Sequence, residues 1–158
     1  WRFDNVILDP QQLTQVIGVL DWEMATLGDP LMDLGSALAY WIQEDDDALM
    51  KSSRRQPTNL KGMLTRQQVV DYYLEKTGLQ PTNWAFYEVF GLFRLAVIAQ
   101  QIYYRYYHQQ TDNPAFKDFW IMIHALHIRA LKLIAQNNAE AQQLIPEYGA
   151  KLQDILKR

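Results

Sequence analysis

The 158-residue chain contains no cysteine. Disulfides, thiolate metal sites and a cysteine nucleophile are excluded with it, and a cytoplasmic setting is the expected one. Positive charge is not in excess either: the net charge is -3 at pH 7 and the pI is near 5.5. A protein that coats nucleic-acid phosphates carries a basic face, so no nucleic-acid partner is expected. No apolar run approaches the roughly 20 residues that cross a bilayer, and the first residues do not follow a signal peptide's basic-then-apolar order. A soluble chain without a membrane partner is expected. Nor does any repeat or low-complexity tract appear. What is present is the balance of one folded domain: 49% hydrophobic and 21% charged residues, with nine Tyr and five Trp.

Two short apolar runs, Asn5 to Leu8 and Gln15 to Leu20, flank Asp9-Pro10 and read as a β-hairpin. Pro10 suits the connection, where a missing N–H does no harm. Gly28-Asp29-Pro30 is a turn followed by a helix start, and Leu31, Leu34, Leu38 and Trp41 then recur at helical spacing. Periodicity fails from Gln43 to Leu64, where an acidic run beside a basic one reads as a solvated loop. Thr65 to Gln68 matches a capping box, with Gly78 closing that helix. A long helix from near Asn83 to His108 is apolar on so much of its circumference that burial among neighbours is expected. Another helix runs from about Ala115 to Gln136, and Pro146 separates it from one or two short terminal helices. The predicted class is α+β: a hairpin, marginal alone, packed on a mainly helical bundle.

Three polar residues stand out at the hairpin: Asn5 opens it, Asp21 follows its second strand, and Glu23 comes two residues later. Taken singly, Asn5 fits a strand edge, Asp21 a strand-end turn and Asp33 an exposed helix acid. Their joint spacing points elsewhere. In protein-kinase-type phosphotransferases a base Asp is followed, after four residues, by a metal-binding Asn, and a second metal-binding Asp lies beyond the next hairpin. Here "WRFD" is the four-residue spacer before Asn5. Hard oxygen ligands at one end of a rigid ribbon suit magnesium, which clamps ATP phosphates.

"WRFDNVILD" with "VIGVLDWEMATLGDPLMDLG" resembles the aminoglycoside phosphotransferase family, which is similar in fold to choline kinases and protein kinases. "FRLAVIAQQIYYRYY" is similar to the branch of kinase-like domains fused to some acyl-CoA dehydrogenases. The resemblance covers Trp1 to Gly35 and, less fully, Phe86 to Tyr107. It implies a kinase-like C-terminal lobe over residues 1–158, with the base Asp directly before Trp1 and an N-terminal lobe of the same protein as partner. It also implies ATP and Mg2+ as cofactors, with Asn5 and Asp21 as cofactor and metal ligands and Glu23 assisting. Asp33 would hydrogen-bond the catalytic-loop backbone from a buried position. Glu23 stands where protein kinases have the Gly of Asp-Phe-Gly, which argues against flipping of that loop. Without the base and the ATP-cradling lobe, these residues alone are expected to be inactive.

Beyond the hairpin, Arg94, Ile98, Gln101 and Arg105 share one face of the long helix. A buried Arg needs an acceptor, either a carboxylate of the protein or an anionic group of a substrate. Arg94, Gln101 and Arg105 are therefore the substrate candidates. His124 and His127 have metal-ligand spacing but no evident third ligand, and read as a partly buried pair. Arg2 reads equally as a loop brace or a phosphate contact. The expected activity is transfer of a γ-phosphoryl group to a small-molecule hydroxyl. The rival is a non-catalytic kinase-like binding or scaffold module. An uncovered apolar face on the hairpin would drive self-association.

Overall fold

The computed structural model describes residues 2–136 and 138–156. It is mainly helical, with a small antiparallel two-stranded sheet ahead of the helices. Strands β1 (Val6–Leu8) and β2 (Val16–Val19) pair Val6 with Val19, Ile7 with Gly18 and Leu8 with Val16, with an irregularity between Ile7 and Leu8. Asp9 closes the connection by accepting from the backbone N–H groups of Gln11 and Gln12. Asn5 ends a 3-10 turn rather than opening the strand.

Helix α1 (Pro30–Ala39) starts where Asp29 caps it, accepting from the N–H of Leu31 at 2.9 Å, with Pro30 in the first turn. The segment from Gln43 to Leu64 is not a free loop. It carries the short helix α2 (Ala48–Ser52), and buried Thr58 both donates to and accepts from the backbone of Ile42. Arg66 grips Asp46 through two bonds of 2.7 and 2.8 Å. A carboxylate from the supposedly solvated acidic run thus becomes a half-buried structural anchor. Helix α3 (Arg66–Thr77) has both bonds of the capping box between Thr65 and Gln68, and Gly78 ends it in the left-handed region at φ 71°.

Helices α4 (Trp84–Tyr107) and α5 (Phe119–Ala135) form the centre, with Leu92, Leu95, Ala125 and Leu126 in the core they share. Inside, Glu88 of α4 accepts from Arg129 of α5 at 2.8 Å. The long helix is buried on one side only. Phe86, Phe93, Val97, Tyr104 and Tyr107 are exposed, so the wide apolar circumference does not mean full burial. By length and composition α4 meets the requirement for a membrane span, which corrects the reading that no segment approaches it.

Helix α6 (Ala139–Leu156) runs straight through Pro146, against the expected break. Ala141 and Leu152 are buried in its docking on α5, and Tyr148 hydrogen-bonds His124. Tertiary packing outweighs the hydrogen bond that proline forfeits.

The hairpin was expected to pack on the bundle, and the structure corrects this. No strand residue is buried, and Ile7, Val16 and Ile17 are exposed. The hairpin is tethered at its base instead: the Phe3 N–H donates to buried Gln56 at 2.8 Å, and the Phe3 ring meets Trp41 edge-on at 5.4 Å.

Helices α1 and α4 cross at Gly35 and Gly91. A Cβ on Gly35 would lie 2.1 Å from the Tyr87 carbonyl oxygen, and one on Gly91 2.1 Å from the Gly35 carbonyl oxygen. Only glycine permits two helix backbones this close. Their approach sets the floor of the site described next.

Candidate functional site

A cleft of about 420 Å³ opens between the end of the hairpin and the α1–α4 crossing. Asn5, Asp21, Glu23, Asp33 and Arg94 all line it, together with Arg2, Ser36 and Tyr40. The hairpin brings Asn5 and Asp21 together because the Val6–Val19 pair adjoins them, and the Leu20 N–H donates to the Asn5 carbonyl at 2.7 Å. The Asn5 side-chain amide donates to Asp21 Oδ2 at 2.9 Å. Asn5 Oδ1 and the second Asp21 oxygen remain as oxygen donors.

Asp21 is one of two non-glycine residues with positive φ among the described residues, at φ 64° and ψ 51°. Asp tolerates the left-handed region better than most residues, at a cost of about 1 kcal/mol. That turn swings the chain into the 3-10 segment Trp22–Met24, which carries Glu23 to the same cleft. The indole N–H of Trp22 braces it by donating to the Val19 carbonyl at 2.7 Å.

The donor set suits a hard cation. An amide oxygen and carboxylates without thiol or imidazole favour magnesium, which keeps several waters and takes few protein ligands. Among the described residues, no three His, Cys, Asp or Glu side chains form a group able to hold a metal ion. The fit is therefore to a metal that shares its coordination with phosphates and water rather than to a closed protein cage.

The structure places Asp33 on the wall of the cleft and not in the buried position expected of it. It is exposed, and among the described residues it has no hydrogen bond or ion pair, because its turn of α1 faces the open cleft. Arg94 is half-buried and donates to Ser36 Oγ at 3.4 Å, with no carboxylate partner among the described residues. Gln101 and Arg105 do not line the cleft and are exposed. At 1.5 Å per residue they stand roughly 10 and 16 Å farther along α4. One helix face is not one site.

Arg2 braces the loop and reaches the cleft. It donates to Asp4 at 2.6 Å, and its guanidinium lies 5.4 Å from the centre of the Tyr40 ring. Burial pushes the Tyr40 phenol above its usual range, against the opposing pull of Arg2 and Arg94. Tyr40 and Ser36 were missed as lining residues. Ser36 sits in an apolar-periodic helix and Tyr40 caps its C-terminal end, where nothing local separates a wall of a cleft from the core.

Comparison with known proteins finds a family match over the first part of the chain. Residues 1–64 match the phosphotransferase enzyme family model, APH. The APH segment contains the hairpin, α1 and α2, hence Asn5, Asp21, Glu23 and Asp33, whereas Arg94 lies beyond it. The chain is also similar to acyl-CoA dehydrogenase family member 10 of Mus musculus, 37% identical over 107 residues, 66% of this chain and 10% of that protein. Family member 11 of Rattus norvegicus is 33% identical over 67% of this chain and 14% of its own length. The probable acyl-CoA dehydrogenase IBR3 of Arabidopsis thaliana is 29% identical over 97% of this chain and 18% of its own length. The chain thus spans less than a fifth of the length of these curated relatives. No solved structure matches the chain.

Proposed function

We propose that this chain, whose residues 1–64 match the APH family model, forms the kinase-like C-terminal lobe of an ATP- and magnesium-dependent phosphotransferase that acts on a small-molecule hydroxyl. The observation that carries the reading is the Asn5–Asp21 hydrogen bond at the mouth of a cleft that also holds Arg94 without an acid partner. Magnesium, when bound, supplies charge neutralisation at the β- and γ-phosphate oxygens. Asp21 and Asn5 would contribute oxygen ligands from the end of the hairpin, where a hydrogen bond joins their side chains. Glu23 adds negative charge beside them. Arg94 supplies a cation for an anionic group of the acceptor or for the transferred phosphoryl group. Proton removal from the acceptor hydroxyl falls to the aspartate that the family resemblance puts before Trp1.

The test is calorimetric titration of Mg-ATP into the full parent protein and into its Asp21→Asn variant. Binding by the parent that is lost in the variant supports the phosphotransferase. No binding by the parent overturns it and favours a non-catalytic binding module, the reading to which the exposed apolar hairpin otherwise points.

A further inference from the structure

A second cavity of about 350 Å³ adjoins the cleft, and the two share Arg2, Tyr40, Leu95 and Ile98 as a common wall. Its lining differs in kind. Ile42, Ala99, Ile102, Phe119, Met122 and Leu126 make it predominantly apolar, and no carboxylate among the described residues lines it. Two guanidinium groups do: Arg2 and Arg55.

Arg55 is exposed and has no ion pair among the described residues; its guanidinium lies 5.5 Å from the centre of the Phe119 ring. An arginine held against an aromatic face keeps its N–H fork free for an anion. Arg2 spends one nitrogen on Asp4, while its buried Nε has no hydrogen-bond partner among the described residues. Leaving a buried donor unpaired is costly, and an incoming acceptor atom relieves that cost. Hydrocarbon-lined walls with cations and no acid are complementary to an apolar molecule that carries an anionic group.

We infer that this annex binds an amphiphilic anion, its hydrocarbon body against Ile98, Ile102 and Phe119 and its carboxylate or phosphate group on Arg55. The inference deepens the phosphotransferase reading and rests on it in one respect: the annex ligand is the acceptor's apolar part only if the adjoining cleft transfers phosphate. The binding itself stands on the annex alone. A cationic, sugar-like acceptor is disfavoured, because it would bring positive charge to Arg55 and leave polar groups unpaired against hydrocarbon.

The experiment is calorimetric titration of the 158-residue chain with four eight-carbon probes: octanoate, octyl phosphate, octanol and octyltrimethylammonium. Octanoate and octyl phosphate are expected to bind, the tighter of the two identifying the head group, and the cation is not. Arg55→Gln, a surface change that leaves the fold intact, is expected to weaken the anions roughly tenfold, the loss of one charge-assisted bond, with octanol unaffected. Ile102→Trp, checked for native circular dichroism, is expected to block all probes by filling the annex. Equal binding of cation and anions, or anion binding unchanged in Arg55→Gln, overturns the inference, as does no binding at all. A parallel Mg-ATP titration of the parent protein keeps the two readings apart. Anion binding without nucleotide binding retains the annex and removes the phosphotransferase. Nucleotide binding without anion binding does the reverse.

Discussion

Asn5 donates its side-chain amide to the Asp21 carboxylate across 2.9 Å, although sixteen positions separate them in the chain. The bond orients two oxygen donors at the cost of holding Asp21 in the left-handed region. Asp21→Asn, in an exposed side chain and with a residue that also tolerates positive φ, is expected to change stability by no more than about 0.5 kcal/mol. Asp21→Ala is expected to cost about 1 kcal/mol, because a plain Cβ is disfavoured there. Both remove the carboxylate. Urea denaturation beside Mg-ATP calorimetry separates the conformational effect from the loss of a ligand.

At the α1–α4 crossing, Gly91→Ala is expected to destabilise the fold by about 3 kcal/mol, the upper end of overpacking costs, because the obstructing atoms are backbone. Gly149 in α6 is the contrasting case, with no atom within 4 Å of the place a methyl group would take. Gly149→Ala is expected to stabilise by about 0.5–1 kcal/mol through reduced chain entropy. Urea midpoints moving in opposite directions would bear out both. Equal midpoints would remove the crossing from the account.

Acid sensitivity is expected from Asp46. Burial works to raise its pKa, but the Arg66 side chain and the Gln43 backbone N–H outweigh it and hold the carboxyl below its usual value. A carboxyl depressed in the folded state stabilises above its unfolded pKa, near 3.9, and that stabilisation fades as pH falls through the folded value. Asp46→Asn is expected to cost about 3 kcal/mol at neutral pH by leaving Arg66 half-paired, and to flatten the profile below pH 4. Denaturation midpoints across that range test it.

His124 is expected to act at higher pH. Its Nδ1 is hydrogen-bonded to the Tyr148 hydroxyl, with the His127 and Trp120 rings nearby. Burial first, and then His127, lower its pKa. The unfolded chain therefore takes up the proton before the folded one does, and stability falls as pH drops below about 6.5. His124→Phe is expected to abolish that step while leaving the Asp46 step in place. A wild-type midpoint that stays level between pH 7.5 and 5.5 would count against the burial of His124 beside His127.

The hairpin's exposed Val16, Ile17 and Leu20 form an apolar edge region that favours association. Light scattering is expected to show concentration-dependent growth in mass, reduced to monomer in Ile17→Lys with Leu20→Lys. A monomeric wild type at high concentration would exclude the hairpin as a self-association surface.

Helix starts and stops were legible where their chemistry is local. Asp29 with Pro30, Thr65 with Gln68, and Gly78 each satisfy backbone groups within a few residues, so their short sequence patterns carry the information. Pro146 was misread for the same reason. Its local penalty is visible in sequence, whereas the α5 surface that offsets it is not. Acid and base runs between Gln43 and Leu64 looked solvated because the partner of Asp46 lies 20 residues away on another helix.

By itself the sequence determined the hairpin, the caps of α1 and α3, and the spacing of Asn5, Asp21 and Glu23, all of which follow from backbone periodicity and hydrogen bonding over short distances. Only the tertiary structure decided which members of the α4 stripe reach the cleft, since Arg94 sits beside the Gly35–Gly91 crossing while Gln101 and Arg105 climb away from it. It also decided that the hairpin stands off the bundle and that an apolar annex opens behind Tyr40. Those outcomes depend on how closely helices approach and what space they leave. That is settled by excluded volume between residues distant in the chain, which no local pattern encodes.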